Sequence, residues 1–129
     1  MDKPREKLIA VVDDDASIRD TTNDLLESAG YDAISFPSPE QFLNCGGLER
    51  FGCLITDLRM PGMNGLELQQ RLAASGHPIP TIIMTAYPDE ASRAQAGRAG
   101  VLCYLSKPFA ARVLLQCIDT ALRSEPRRP

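Results

Sequence analysis

The sequence predicts an α/β fold in which a parallel five-stranded sheet lies between two layers of helices. Short apolar runs recur about every 20 to 30 residues along the 129-residue chain, and most are apolar at consecutive positions, as expected for strands buried on both faces. The segments between these runs carry helical periodicity and capping signals. This strict alternation favours a single doubly wound (βα)5 sandwich, since 129 residues suit one core of ordinary size.

The predicted strands are the apolar runs LIAVV at 8–12, AISF at 33–36, CLIT at 53–56, TIIM at 81–84 and VLCYL at 101–105. We expect the flavodoxin-like strand order 2-1-3-4-5, the simplest known order for five such units. Ligands in sheets of this kind bind at the carboxyl ends of the strands, near the switch point between strands 1 and 3. The fold therefore locates a site before any motif is considered.

The first two predicted helices have clear ends. The first follows Asp15 and stops at Gly30, a residue suited to a left-handed cap. Its apolar stripe consists of Ile18, Thr22, Leu25, Leu26 and Ala29. The second opens with SPEQ at 38–41, where serine caps, proline suits the first helical position and glutamine completes a capping box. It is short, because two glycines follow at 46–47.

The other three helices differ in the apolar surface that they offer. The third, at about 64–74, presents the leucines Leu66, Leu68 and Leu72, whereas the fourth, at about 89–99, has only alanines and should bury little. The fifth, at about 111–123, packs through Leu114, Cys117, Ile118, Ala121 and Leu122. We expect residues 1–124 to form the domain and the polar residues 125–129 to be a linker stub.

Composition excludes several classes of function. With 14 Lys and Arg against 17 Asp and Glu, a net charge of -3 and a pI of about 5.1, no general attraction to nucleic acid or anionic membranes is expected. The apolar run at 8–12 is far shorter than the roughly 18 residues that span a bilayer. That run ends in three aspartates and not in a cleavage site, so we expect no secretory signal and a cytoplasmic location.

The four cysteines are spaced too widely for a CxxC redox or zinc motif. They are Cys45, Cys53, Cys103 and Cys117, and three of them lie in apolar segments. Since free cysteine commonly packs as a small hydrophobic residue, we expect reduced and mostly buried thiols. A redox switch or a disulfide is the alternative.

Polar residues end four of the five predicted strands at the same edge of the sheet. These endings are Asp13-Asp14-Asp15, Thr56-Asp57, Thr85-Ala86 and Ser106-Lys107-Pro108. Clustered carboxylates repel one another and have raised pKa values unless a cation neutralises them. Hard oxygen ligands of this kind suit Mg²⁺, and Lys107 supplies a second positive charge.

Each strand ending also has an ordinary explanation. An acidic cluster can simply start a helix, a strand-terminal Asp57 can be a turn residue, Lys107 can be a solvated loop lysine, and Thr85 can be a strand-end hydroxyl. The joint occurrence of all four endings at one edge is what favours a phosphate and metal site.

On these residues the chain resembles the receiver domains of two-component response regulators, essentially from end to end. The matching motifs are VVDDD at 11–15, TDLRMPGMNGLEL at 56–68, IPTIIMTAYPD at 79–89 and YLSKPF at 104–109. The amino-acid sequences of the second motif and of the last third of the chain are similar to those of receivers of the FixJ and NarL type. A helix-turn-helix output domain often follows such receivers.

The resemblance implies a role for each acidic residue. Asp57 would take a phosphoryl group from the phosphohistidine of a sensor histidine kinase. Asp13 and Asp14 would be the acidic pair of a Mg²⁺ site. In that site, Asp14 and Asp57 would be direct ligands with the backbone carbonyl of Arg59, and Asp13 would act through water.

The remaining motif residues carry over in the same way. Thr85 and Lys107 would bind phosphoryl oxygens, and the small Ala86 would leave the entrance open. Tyr104 matches the aromatic switch position, and the Lys107-Pro108 peptide bond is expected to be cis.

The chemistry fits these implied roles because phosphoryl transfer needs mainly alignment and charge neutralisation. A carboxylate nucleophile is already ionised near neutral pH, so no general base is needed, and the single His77 is expected to be a loop residue without a catalytic role. The domain would be no enzyme beyond catalysing its own phosphorylation and dephosphorylation.

Phosphorylation is expected to change the surface formed by helix 4, strand 5 and helix 5. That surface would serve a homodimer or control a partner, such as a DNA-binding output domain absent from this chain. Arg59 and Tyr87 are expected to flank the path of the water that hydrolyses the aspartyl phosphate, which predicts a lifetime of many minutes or longer. Alternatively, both side chains point to solvent and do not affect hydrolysis.

Three other functions are weaker interpretations of the same residues. A phosphohydrolase of the haloacid dehalogenase type would want a second carboxylate where Arg59 stands. A flavin mononucleotide carrier would need a glycine- and hydroxyl-rich loop after strand 1, where three aspartates would repel phosphate. An interaction module of the same fold that works without phosphorylation stays the serious alternative.

Overall fold

The computed structural model describes residues 8–123 and has the predicted α/β architecture. Five parallel strands lie in the order β2-β1-β3-β4-β5, and they are β1 (Leu8–Val12), β2 (Asp32–Phe36), β3 (Phe51–Asp57), β4 (Thr81–Thr85) and β5 (Cys103–Ser106). The α-helices are α1 (Ala16–Ser28), α2 (Pro39–Leu43), α3 (Gly65–Ala74), α4 (Glu90–Ala99) and α5 (Ala111–Arg123). The charged start and the expected linker stub at 125–129 lie outside the described residues.

The core consists of two apolar layers on opposite faces of the sheet. On one face, Ile55 of β3 and Met84 of β4 belong to a cluster with Leu26 of α1 and Leu114 of α5. On the other face, β1 and β3 pack against α2 and α3, with three phenylalanine rings (Phe36, Phe42 and Phe51) in mutual contact. Strands β1, β3 and β4 are therefore buried on both faces, as their consecutive apolar residues predict.

The two edge strands depart from that pattern. In β2 the burial alternates and Ile34 is exposed, because helices cover a strand at the edge of the sheet less completely than a central strand. Strand β5 starts at Cys103, two residues later than predicted, and is only half-buried. Strand β3 is longer than predicted and ends on Asp57, so this residue is held by the sheet itself.

The helix caps confirm most of the predicted boundaries. The Asp15 side chain accepts hydrogen bonds from the backbone N–H groups of Ser17 and Ile18 at the start of α1, and Gly30 has a φ of 92° after its end. Ser38 caps α2 by accepting from the N–H of Gln41. Within the part of the chain described, the reciprocal capping box occurs at α3 and not at α2. Ala29, expected in the apolar stripe, is exposed at the end of α1.

Helix α4 buries much less apolar surface than α5. Ala96 is the one buried residue of α4, whereas α5 buries Leu114, Cys117, Ile118 and Ala121. The alanine-only sequence of α4 predicts this, because alanine offers a single methyl group to a neighbour. No helix among residues 8–123 is long and apolar enough to cross a membrane.

The expectation of four reduced thiols is wrong for two of them. The structure joins Cys103 of β5 to Cys117 of α5 in a disulfide, with Cα atoms 6.5 Å apart. Cys45 is free and exposed, and Cys53 is free and buried. Sequence spacing missed the pair because the two residues meet only when α5 packs back onto the sheet.

Gly65, the first residue of α3, lies against the end of β3. A Cβ atom at this position would be 2.6 Å from the backbone oxygen of Asp57 and 3.1 Å from Cγ2 of Thr56. The N–H of Gly65 also donates to the carbonyl of Leu58 at 2.9 Å. The loop after Asp57 can therefore turn this tightly only because residue 65 has no side chain.

We expect Gly65→Ala to lower the free energy of unfolding by about 1–3 kcal/mol, because the added methyl group overpacks a rigid backbone contact. Urea denaturation followed by circular dichroism measures this change. The matched control is Gly97→Ala in α4, where a Cβ meets nothing within 4 Å and should stabilise the helix by about 0.5–1 kcal/mol. Equal effects of the two substitutions would contradict the close approach at Gly65.

Candidate functional site

The predicted site residues meet at the carboxyl ends of the strands. Asp13 follows β1, Asp57 ends β3, Thr85 ends β4 and Lys107 follows β5. One carboxylate oxygen each from Asp13, Asp14 and Asp57 lies within 4.8 Å of the other two. Two separate segments of the chain thus form one acidic cluster, and two more bring Thr85 and Lys107 to the same edge, because parallel strands end together.

Lys107 bridges two of these carboxylates. Its Nζ lies 3.2 Å from Oδ2 of Asp13 and 3.3 Å from Oδ1 of Asp57. The Asp13 side chain is 1% exposed and that of Asp57 is 12% exposed, so water and salt screen these pairs far less than surface pairs. The backbone N–H of Lys107 donates to the carbonyl of Thr85 at 2.8 Å, and the Lys107-Pro108 bond is cis, as the motif predicts.

The three consecutive aspartates have different surroundings. Asp13 is fully buried, and its Oδ1 accepts a hydrogen bond from the N–H of Asp15 at 3.0 Å. Asp14 is exposed and faces the cluster. Asp15 instead caps α1, and its hydrogen bonds with Ser17 lower the pKa of its carboxyl. The run therefore supplies two residues to the site and one to a helix.

Burial raises the pKa of Asp57 above its ordinary value. The nearby charges of Asp13 and Asp14 raise the pKa further, and the Lys107 ammonium acts in the opposite direction. The three carboxylates of the cluster face one bridging ammonium group. When all are ionised, the cluster holds two negative charges in excess and is suited to a cation.

The donor set fits a hard divalent cation. Carboxylate oxygens are the ligands that Mg²⁺ prefers, and Mg²⁺ commonly takes only one or two of them and keeps several waters. Exposed Asp14 leaves room for those waters, while buried Asp13 and Asp57 fix the inner wall. Asp13, Asp14 and Asp57 could therefore hold a metal ion.

Thr85 and Tyr104 are far apart in the sequence but lie on the neighbouring strands β4 and β5. Thr85 is buried, and its Oγ1 accepts a hydrogen bond from the N–H of Tyr87 at 3.0 Å. Tyr104 is half-buried, its hydroxyl contacts Oγ of Ser92, and the guanidinium of Arg93 lies 4.6 Å from its ring centre. Ala86, the residue after Thr85, is exposed.

Arg59 makes a contact that the sequence did not predict. Its Nη2 lies 3.2 Å from Oδ2 of Asp89, the residue that caps α4, and 3.5 Å from the carbonyl of Tyr87. No local pattern indicates this pair, because the partners are 30 residues apart. The Tyr87 side chain is 71% exposed. His77 lies in the loop before β4, at the opposite edge of the sheet from the cluster, as expected of a loop residue.

A family model describes most of this chain. The model for the response regulator receiver domain matches residues 9–119. The chain is similar to the transcriptional regulatory protein FixJ of Bradyrhizobium diazoefficiens, with 40% identity over 115 residues, which is 89% of this chain and 56% of FixJ. It is also 38% identical to the response regulator protein TmoT of Ectopseudomonas mendocina over 96% of this chain and 56% of TmoT.

Solved structures agree with the sequence comparisons. The crystal structure of FixJ-N superposes with a TM-score of 0.86 at 30% identity, covering 99% of this chain and all of FixJ-N. The chain spans about half the length of the curated relatives it matches.

The raised pKa of Asp57 predicts a pH-dependent cost in stability. A carboxyl group whose pKa is higher in the folded state favours folding when it is protonated. Ionisation of Asp57 therefore destabilises the fold as the pH rises from the unfolded-state pKa of 3.8 through the higher folded-state pKa. Asp57→Asn should therefore raise the free energy of unfolding at pH 7 in the presence of a chelator. At a pH below the unfolded-state pKa, this gain in the free energy of unfolding should vanish.

Urea denaturation of wild type and Asp57→Asn at several pH values between 3 and 8 measures this difference directly. A difference that does not change with pH would show that the ionised Asp57 carboxylate is not the cause.

Proposed function

The chain belongs to the response regulator receiver family, and on that basis we propose that it accepts a phosphoryl group on Asp57. The donor is the phosphohistidine of a sensor histidine kinase. The phosphorus–nitrogen bond of the donor breaks, its electron pair stays on the imidazole, and a bond forms between phosphorus and a carboxylate oxygen of Asp57. The catalysis that this domain contributes is limited to its own phosphorylation and dephosphorylation.

The observation that carries this proposal is the position of Lys107 between Asp13 and Asp57. Its ammonium lies where it can meet the negative charge of an incoming phosphoryl group, and this placement requires little rearrangement. Mg²⁺ bound by Asp14 and Asp57, with the Arg59 carbonyl and with Asp13 through water, would supply further positive charge against the phosphoryl oxygens. The ionised Asp57 needs no general base.

An apolar groove beside the cluster could bind a domain of the sensor kinase. The groove is lined by Ile18 and Leu25 of α1, by Pro108 and Phe109 after β5, and also by Ala86 and Lys107. A helical face carrying the phosphohistidine could bury apolar side chains here and present its phosphoryl group to Asp57. We assign the groove to the sensor kinase for this reason.

The switch residues connect the phosphoryl group to α4. Thr85 would turn its hydroxyl toward a phosphoryl oxygen, which gives Tyr104 space to rotate inward. That rotation would break the contacts of the Tyr104 hydroxyl with Ser92 and with the N–H of Asp89, both at the start of α4. The surface of α4, β5 and α5 would change and serve a homodimer or an output domain.

The output of this switch is transcriptional in our proposal. FixJ is described as a transcriptional regulatory protein, and the matched part covers about half of it, which leaves room there for a DNA-binding domain. We therefore propose a DNA-binding partner or domain controlled by this receiver in the cytoplasm, with no direct contact between the receiver and DNA.

We expect one phosphoryl group to be added on incubation with acetyl phosphate and Mg²⁺, seen as a single mass increment in intact-mass analysis. Asp57→Asn should abolish the increment because it removes the nucleophile, and chelation of Mg²⁺ should abolish it as well. Equal labelling of the Asp57→Asn protein would overturn the assignment of Asp57. No labelling of wild type would instead favour an interaction module that works without phosphorylation.

Asp14→Ala should weaken Mg²⁺ binding by roughly tenfold or more, which corresponds to about 1.4 kcal/mol. The change removes a ligand, and it also relieves carboxylate repulsion, so the metal-free domain should become more stable. Asp15→Ala is the matched control, since this neighbour caps α1. It should keep its Mg²⁺ affinity and lose about 1 kcal/mol of stability. Titration calorimetry and urea denaturation measure the two quantities.

Arg59 and Tyr87 should slow hydrolysis of the aspartyl phosphate. Arg59, in the loop between β3 and α3, is held by Asp89 of the loop between β4 and α4. Neither Arg59 nor Tyr87 is a carboxylate or amide that could orient a water. We expect the phosphorylated wild type, freed of donor, to persist for many minutes, and the Arg59→Asn, Tyr87→Ala variant to decay faster. Because Tyr87 is mostly exposed, the single variants should assign most of the effect to Arg59. Equal decay of the double variant and wild type would exclude the role.

A further inference from the structure

The disulfide between Cys103 and Cys117 has no part in the proposed phosphoryl transfer. Its Cα separation of 6.5 Å lies within the range that disulfides span without backbone movement. The two remaining cysteines differ from this pair, since Cys45 is exposed in a loop and Cys53 is enclosed in β3. Burial raises the pKa of Cys53 to about 12, which keeps it in the unreactive thiol form.

Helix α5 does not need the disulfide to stay on the sheet. Its residues Leu114, Ile118 and Ala121 are between 0% and 1% exposed and belong to the large apolar cluster formed with β1, β3 and β4. These three residues make apolar contacts that do not involve the sulfur–sulfur bond, so their packing can remain when the bond breaks and the two sulfur atoms move apart to van der Waals distance. The domain can therefore exist folded in both redox states.

The disulfide closes the segment that contains Lys107. This segment runs from Cys103 on β5 through Lys107 and Phe109 to Cys117 on α5, a separation of 14 residues. Tyr104 is the immediate neighbour of Cys103. The bond thus fixes both ends of the segment whose middle holds the ammonium against Asp13 and Asp57.

We propose that Cys103 and Cys117 are a reversible redox pair whose oxidation tethers the Lys107 segment and favours phosphoryl acceptance. The pair reacts by thiol–disulfide exchange with a low-molecular-weight thiol such as glutathione. The redox reaction is independent of the proposed function, and only the effect on phosphorylation rests on it. In a reducing compartment, a disulfide in a folded domain is typically a sensing and not a permanent bond.

The exchange balances in two steps. A glutathione thiolate attacks the sulfur of Cys103, which is the more exposed of the two residues, and Cys117 leaves as a thiolate that takes up a proton. A second glutathione thiolate attacks the glutathione sulfur of the mixed disulfide and releases Cys103 as a thiolate. The protein gains two electrons and two protons, and two glutathione molecules become one oxidised glutathione.

The test equilibrates the full chain with glutathione buffers of defined ratio, followed by acid quenching, denaturation, alkylation and intact-mass analysis. We expect the number of alkylated cysteines to change reversibly between two and four, while circular dichroism reports a folded domain throughout. Hydrogen exchange of residues 103–117 should be slower in the oxidised form. Labelling by acetyl phosphate with Mg²⁺ should be roughly twofold or more slower in the reduced form, since Lys107 is then less firmly positioned.

Two variants make the result specific. Cys103→Ser removes the pair at its half-buried member, so the domain should stay folded, lose the redox response and label like reduced wild type. Cys45→Ser removes the exposed free thiol and should keep the full response, with between one and three cysteines alkylated.

Four alkylated cysteines at every glutathione ratio, or unfolding on reduction, would overturn the reversible pair. Equal hydrogen exchange and equal phosphoryl labelling of the two redox forms would overturn the proposal that the disulfide tethers the Lys107 segment. If neither form accepts a phosphoryl group, the proposed function fails, and alkylation and hydrogen exchange alone decide the redox pair.

Discussion

Three carboxylates repel one another at one edge of the sheet, and the surrounding architecture has to hold them together against this repulsion. Asp13, Asp14 and Asp57 converge because parallel strands end together, and burial of Asp57 makes its charge more costly. Lys107 offsets part of this cost through its contacts with Asp13 and Asp57. The remaining negative charge makes the site suited to a cation.

The scaffold holds this unfavourable cluster through apolar packing and backbone contacts. Strand β3 is buried along its whole length and carries Asp57 as its last residue. The chain then turns back against that same residue at Gly65, where backbone meets backbone. On the other side, the N–H of Lys107 is fixed by the carbonyl of Thr85. Rigid apolar packing beneath the site therefore sets the distances between charges that would otherwise move apart.

Much of this arrangement could be predicted from the sequence, and the exceptions have physical reasons. The strand order and the convergence of Asp13, Asp57, Thr85 and Lys107 follow from apolar runs with polar endings, because a parallel sheet leaves few alternatives. The Arg59–Asp89 pair and the Cys103–Cys117 bond could not be predicted, since each joins elements whose relative distance depends on how a helix packs. The predicted order already places strand 5 at an edge of the sheet, in agreement with its half-buried residues, whereas its start at Cys103 instead of residue 101 was not predicted.

The single buried residue of α4 has a consequence for the energy landscape of the folded domain. Ala96 is the one buried residue of this helix, and Ala99 is partly buried against the same apolar cluster. Polar groups hold both ends of the helix: Asp89, Ser92 and Tyr104 at its start, and at its end Gln69, which donates to the carbonyl of Ala99. Local opening of a segment costs less free energy when little apolar area is exposed. We therefore expect α4 to open locally at a lower cost in free energy than the sheet, so that alternative positions of this helix are accessible from the native state.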